Sequence, residues 1–382
     1  MKMDSLTRFA IGVGIALALL LVYNRQKIDM ENAALGSDNQ AAFEEWQGHR
    51  ITAPRPSEIE TLIGEARTRR SEARANVIVW LGNSQLHTIN QYRRGDHLAP
   101  HWLAEEAKCD PCIEPLGLSL PNANFQEYLV MAQYAVNRLP VSLLVVKLVF
   151  DKLREDGLRD ELAPLVTDDV RETLSKSDIG REMIDNWDGR HAQAATGENK
   201  QHGLEGFMQK PLEDGLDRLF SNIPLWAERG NLRGHFMLDL FHARNIALGI
   251  KPNSLRRMIP GRYARNMRAL DQIIALAHSS GIPLLVYVAP IRNDVPLPYD
   301  AAAYGRWKNE IEAMAKSKNF AFMNLESLVP NDRWGAYVAD EIDFMHFQGR
   351  GHQLLAAALW PELRRLLSSR GPALTAGKGS QK

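Results

Sequence analysis

Three residues in this chain have the types and spacing needed to activate a serine. Ser84 follows the apolar run "NVIVWLGN" directly. A hydroxyl is a weak nucleophile unless an imidazole takes its proton, and the imidazole works best when a carboxylate fixes its tautomer. Near the other end of the chain, "DFMHFQGRGHQLLAAAL" supplies Asp343 and His346, three residues apart and just before an apolar helical pattern. One turn of irregular or helical backbone would bring the two onto one side, so that the carboxylate meets one ring nitrogen and the other faces the serine. His352 competes for the role of base, but its place beyond Gly351 at the helix start favours a structural or surface role. Gly-Asn-Ser alone is common turn chemistry, and Asp-x-x-His alone says no more. Their order and their placement at two ends of one pattern carry the signal.

That pattern is an alternation of helices and buried strands. "NVIVWLG" (76–82), "PVSLLVVKLVF" (140–150), "IPLLVYVAP" (282–290) and "FAFMNL" (320–325) are continuous apolar runs of the kind found in parallel sheets covered on both faces. The last three each follow a helical pattern, within 124–139, 263–281 and 300–319. Such alternation predicts an α/β domain with a parallel sheet, and open parallel sheets bind ligands at the carboxyl ends of their strands, where Ser84 falls. From about 155 to 260 the strands disappear in favour of charged, helix-prone text, which predicts a large helical insertion: a lid, a partner surface or a packed elaboration.

Gly82-Asn83-Ser84 after the first strand, together with Asp343-x-x-His346-x-x-x-x-Gly351 before the last helix, resembles the SGNH (GDSL-like) hydrolase superfamily. The likeness is greatest to its membrane-anchored cell-envelope branch, which includes D-alanyl transfer and alginate O-acetylation proteins. The resemblance implies a three-layer α/β/α domain in which Ser84 is nucleophile, His346 general base and Asp343 the orienting acid, with the Ser84 backbone N–H in the oxyanion hole. The superfamily's remaining oxyanion donors, a Gly after the second strand and an Asn after the third, have no clear counterparts in "LSLPNANFQEY" and "LVFDKLRED". Asn122 and Asn124 are candidate donors there, or a turn residue and a helix cap. Arg154 is a candidate for an anionic or sugar group, and Arg292 and Asn293 in "APIRND" are candidates for substrate contact, with turn and ion-pair roles as the alternative.

The 382-residue chain balances 46 Lys plus Arg against 46 Asp plus Glu, which leaves no basic field to attract nucleic acid. The uncharged run Phe9–Tyr23 lies between Arg8 and Arg25. As a helix it covers roughly 22 Å of a roughly 30 Å hydrocarbon layer, a short anchor or a signal-peptide core. No small-x-small cleavage site follows it, so an uncleaved transmembrane anchor is expected, with the rest outside the cytoplasm at the inner membrane. The expected organisation is a tip and anchor at 1–25, a helical stalk at 26–75 with a stripe of Ile59, Leu62, Ile63 and Ala66, a catalytic domain at 76–369, and a frayed tail at 370–382.

The only cysteines, Cys109 and Cys112 in "CDPC", would in an exported domain most simply form a local disulfide. Free thiols are a second reading. A zinc set completed by the upstream His97 and His101 is a third, and the expectation is that no metal is held. The function expected is a serine esterase or O-acyltransferase that acts on a cell-envelope glycan without a cofactor and works with the membrane and a multi-span acyltransferase. A plain carboxylesterase and a catalytically silent carbohydrate-binding or assembly subunit are the alternatives.

Overall fold

The run Asn76–Gly82 becomes the central strand of a parallel sheet because both of its faces are apolar: Val77, Val79 and Leu81 turn to one side, Ile78 and Trp80 to the other, and all are buried. The computed structural model describes residues 40–41, 44–69, 75–201, 254–336 and 342–369, with isolated positions between 240 and 249. The expected span Phe9–Tyr23 and the tail 370–382 lie outside these residues. Among the described residues no helix is long and apolar enough to cross a membrane.

In chain order the elements of the main sheet and its cover are β1 (Thr52–Ala53), α1 (Pro56–Arg69), β2 (Asn76–Gly82), α2 (Ser84–His87), α3 (Ala99–Ala107), β3 (Ile113–Ser119), α4 (Phe125–Arg138) and β4 (Leu143–Leu148). There follow α5 (Asp168–Leu174), α6 (Asp178–Gln201), α7 (Pro260–Ser279), β5 (Leu284–Val288), α8 (Ala301–Lys318), β6 (Ala321–Asn324), the two-stranded antiparallel pair β7 (Trp334–Ala336) and β8 (Ile342–Phe347), and α9 (Gly349–Ser368). The sheet order is β6-β5-β4-β2-β3-β1, every pair parallel.

Because β3 leaves β2 on one side and β4 returns on the other, the order reverses at β2, and the crevice at a reversal point is where open sheets accept ligands. α3 and α9 cover one face of the sheet, packing Leu103, Leu355, Leu359 and Leu363 on Ile78, Trp80, Val145 and Tyr287. α1, α4, α7 and α8 cover the other, where Leu62, Leu129, Ile273 and Ile311 meet Val79, Val146 and Val286. Trp80 Nε1 donates to Tyr287 Oη at 3.1 Å, so two polar atoms that would be costly if orphaned satisfy each other inside the core.

The stripe Ile59, Leu62, Ile63 and Ala66 is the buried face of α1. The sequence reading named no strand at 113–119, yet β3 pairs with β2 over its whole length, despite Pro115 and Gly117 in its interior. Gly117 lies where a Cβ would come within 3.1 Å of Thr52 Cγ2, so β1 can approach β3 closely only at a glycine. The chain divides into two compact units, Asp38–Trp187 with Pro252–Lys382, and Met1–Ser37 with Asp188–Lys251. The start of the expected insertion belongs to the first, where Leu162, Leu165, Val170, Leu174, Met183 and Trp187 are buried in the core. Of the second unit, the end of α6 is the main described part.

Candidate active site

Ser84 opens α2 one residue after a sharp turn out of β2. Asn83 is the N-cap: its backbone is extended and its Oδ1 accepts from Gln85 N at 3.3 Å. The turn is tight enough that a Cβ on Gly82 would sit 2.7 Å from Leu86 Cδ2, so only glycine lets the strand run straight into the helix. The Ser84 hydroxyl is thus held at the mouth of the crevice by a rigid turn.

His346 reaches it from β8. Ser84 Oγ lies 2.9 Å from His346 Nε2, and His346 Nδ1 lies 2.9 Å from Asp343 Oδ2. Of the expected helical or irregular turn, the irregular form is found; β8 is a strand, where residues three apart ordinarily face opposite ways. A bulge solves the problem. Trp334 faces Phe347 and Ala336 faces Ile342, so two steps along β7 are matched by five along β8, and the surplus residues fold back on themselves. Asp343 Oδ1 closes that fold by accepting from Met345 N at 2.8 Å and His346 N at 2.9 Å. The carboxylate therefore both shapes the turn and orients the imidazole.

Asp343 is fully buried. Burial by itself would push its carboxyl up, but the charge and hydrogen bond of His346 and the two backbone N–H groups outweigh it and hold the group below the ordinary carboxylate range. Asn90 Nδ2 supplies a fourth bond, to Asp343 Oδ2 at 2.8 Å. Sequence reasoning did not name Asn90. Its close partner is Gly335, where a Cβ would overlap the Asn90 amide, so the glycine leaves room for the bond.

Lys147 and Gln85 were also missed. Lys147 is fully buried in β4, and its Nζ donates to Asn83 Oδ1. Burial presses its pKa well below the ordinary lysine value. Gln85 Nε2 donates to Pro290 O at 2.8 Å and to Met345 O at 2.7 Å, tying the helix that Ser84 opens to the loop after β5 and to the residue beside His346. A lysine inside the apolar run "LLVVKL" was the available signal for Lys147.

No family model matches the chain, and no curated protein matches it. Solved structures do. The chain is similar to a GDSL-like lipase from Bacteroides thetaiotaomicron at 10% identity and TM-score 0.35, over 82% of this chain and 99% of that one. It is also similar to a catalytic mutant of an acetylxylan esterase from Geobacillus stearothermophilus, at 9% identity and TM-score 0.36, over 75% and 94%.

The other residues named from sequence have mixed placements. Asn124 caps α4: its Oδ1 accepts from Gln126 N and Glu127 N, so the cap role holds, and its Nδ2 donates to Gly157 O at 2.8 Å. Asn122, exposed and in the left-handed region at φ 54°, follows β3 and accepts at Oδ1 from Lys152 Nζ at 2.5 Å. Arg154 donates to Arg257 O at 2.9 Å and pairs with Asp151 at 3.5 Å. Arg292 is paired with Asp294 at 2.6 Å and donates to Gly335 O. Asn293 lines a cavity of about 460 Å³ with Tyr299, Tyr304, Lys308 and Glu326, and Ser84 is not among the residues around it.

His352 is no rival base. It is fully buried, with Nε2 donating to Thr88 O at 3.0 Å and Nδ1 accepting from Ala99 N at 3.3 Å, and desolvation drives its pKa down to about 3. The expected disulfide is not formed: both thiols are free, and Cys112 Sγ lies 3.6 Å from the Cys109 carbonyl. His97 and His101 gather around Glu44, a residue no sequence motif had singled out.

Proposed function

We propose that this protein is a serine esterase or O-acyltransferase of SGNH type that works through an acyl-serine intermediate. The observation that carries the proposal is the unbroken row Ser84 Oγ, His346 Nε2 and Nδ1, Asp343 Oδ2, each step 2.9 Å, at the reversal point of the sheet. His346 Nε2 accepts the hydroxyl proton as Ser84 Oγ bonds to the ester carbonyl carbon, and the Asp343 carboxylate stabilises the imidazolium that forms. The negative charge on the former carbonyl oxygen falls to the Ser84 backbone N–H and, from the adjoining strand end, Asn122 Nδ2. Collapse expels the alcohol, which takes the proton from His346. A second hydroxyl, of water or of a sugar, then repeats the sequence in reverse and frees the serine.

The finer reading is transfer to a cell-envelope glycan by a domain held outside the cytoplasm by an anchor at Phe9–Tyr23, beside a multi-span membrane acyltransferase that supplies the acyl group. The uncharged run and the charged, helix-prone sequence of the insertion support it, because a transferase must stay near its donor and keep water from the acyl-serine. Fluorophosphonate labelling tests the first part: wild type should be labelled and Ser84→Ala should not. Turnover of a small activated ester with and without candidate glycans tests the second. Acyl groups recovered on a glycan support transfer; fast hydrolysis with no acylated glycan supports a plain carboxylesterase, and no labelling at all supports a silent binding subunit.

A further inference from the structure

We infer that Glu44, His97 and His101 form a binding site for a single divalent transition-metal ion, with zinc the best match, separate from the serine site. Each offers one donor atom, and the three donor atoms lie within 4.8 Å of one another. Glu44 Oε1 is 2.7 Å from His97 Nδ1 and 3.2 Å from His101 Nδ1. Around an ion with bonds of about 2.0–2.1 Å, tetrahedral donors sit about 3.3 Å apart, so of the two edges from the carboxylate one is already in place and the other opens by about 0.6 Å. The two rings are stacked 3.7 Å apart and nearly parallel, and they must fan open for their lone pairs to converge. The His97 side chain, 36% exposed, has the room to do so.

The carboxylate is built for the task. It is buried, and its second oxygen, Oε2, is held by Leu98 N at 2.8 Å, which leaves Oε1 aimed at the imidazoles. Glu44 N in turn donates to Thr52 Oγ1 at 2.8 Å, fixing the segment that carries it. Trp46 and Trp102 stand edge-on to the rings as an apolar wall, and Trp102 Nε1 holds the His97 carbonyl at 3.1 Å. Two imidazoles and one carboxylate suit zinc and its neighbours in the transition series, and a fourth position is left for water. Such an ion would clamp the segment before β1 to the start of α3. The site does not depend on the acyl-serine reading.

The test uses the full chain, stripped with chelator, dialysed against zinc and analysed for bound metal, with cobalt(II) absorption as a second readout. Wild type, Ser84→Ala and a Cys109→Ser/Cys112→Ser double variant should each retain one equivalent and show the bands of a four-coordinate cobalt site. His97→Ala should bind at least about 100-fold more weakly, since even a partner that only orients a ligand is worth 10–100-fold. Because the His97 ring is partly exposed, that variant should keep its fold, which circular dichroism checks; Glu44→Gln is the second variant. Metal retained equally by His97→Ala and by Glu44→Gln overturns the assignment, as does loss of the metal with the cysteines or a wild type that holds none.

Discussion

Replacing Asp343 by Asn keeps the shape of the side chain and changes hydrogen-bond polarity at one atom, and the consequence can be followed bond by bond. Asp343 Oδ1 accepts from two backbone N–H groups, at 2.8 and 2.9 Å. The amide oxygen of Asn must take that place, because an NH2 there would face two donors. The NH2 then occupies the Oδ2 position, 2.9 Å from His346 Nδ1 and 2.8 Å from Asn90 Nδ2. It is satisfied only if Nδ1 accepts, which moves the ring proton to Nε2. That nitrogen now points an N–H at Ser84 Oγ and cannot take its proton. The expected loss in kcat is about a thousand- to ten-thousand-fold, or about 4–5.5 kcal/mol of barrier, with KM nearly unchanged. The Asn90 amide can turn over to offer its unpartnered Oδ1 to the new NH2, so stability should fall by no more than about 1–3 kcal/mol and the protein stays folded. Steady-state kinetics on a small activated ester, with thermal melts of both proteins, measure both effects. A folded Asp343→Asn variant within ten-fold of wild-type kcat would refute the tautomer argument.

Asn90→Ala removes one of the two donors on Oδ2 and should lower kcat about ten-fold with little change in KM, since hydrogen bonds to charged groups contribute about 1.5–3 kcal/mol; an unchanged kcat contradicts this. Lys147→Met replaces a buried amine by an apolar chain of similar length, so stability should hold or rise while kcat falls as Asn83 and the Ser84 turn loosen; full activity would sink a positioning role. His352 gives a pH prediction. With its pKa at about 3 when folded against about 6.5 when unfolded, the unfolded chain binds the extra proton, so its contribution is complete above pH 6.5 and is lost progressively towards pH 3, by up to about 5 kcal/mol. His352→Gln, which can donate to Thr88 O and accept from Ala99 N, should flatten that acid limb in denaturant melts; parallel wild-type and variant curves would rule the prediction out.

The central strand and the helices before β4, β5 and β6 were legible because each is a long apolar or amphipathic run with a single consistent period. β3 was not, because Pro115 and Gly117 interrupt its pattern; the close approach of Thr52 at Gly117 explains the glycine and is invisible without the fold. The triad residues were legible as types in order, while their mode of meeting was not. Sequence spacing allowed a helical or an irregular turn, and a bulge held by the Asp343 carboxylate brings them together. Asn90, Gln85 and Glu44 act through contacts across the fold, with partners 253, 260 and 53 residues away, and no local pattern marks them. Asn124 shows the opposite case: its capping box with Glu127 was readable locally, and the cap is what the structure shows. Of the readings open for the cysteine pair, the structure has the free thiols, a choice that spacing alone does not make.

Acid-quenched intact-mass and peptide-mapping measurements on the protein mixed with an activated acyl ester test the nucleophile most directly. The prediction is a transient species heavier by one acyl group, with that group mapped to Ser84, that is absent from Ser84→Ala and fails to accumulate at the wild-type rate in His346→Ala. Ester turnover with no acyl group on Ser84, or with the group on another residue, would contradict it.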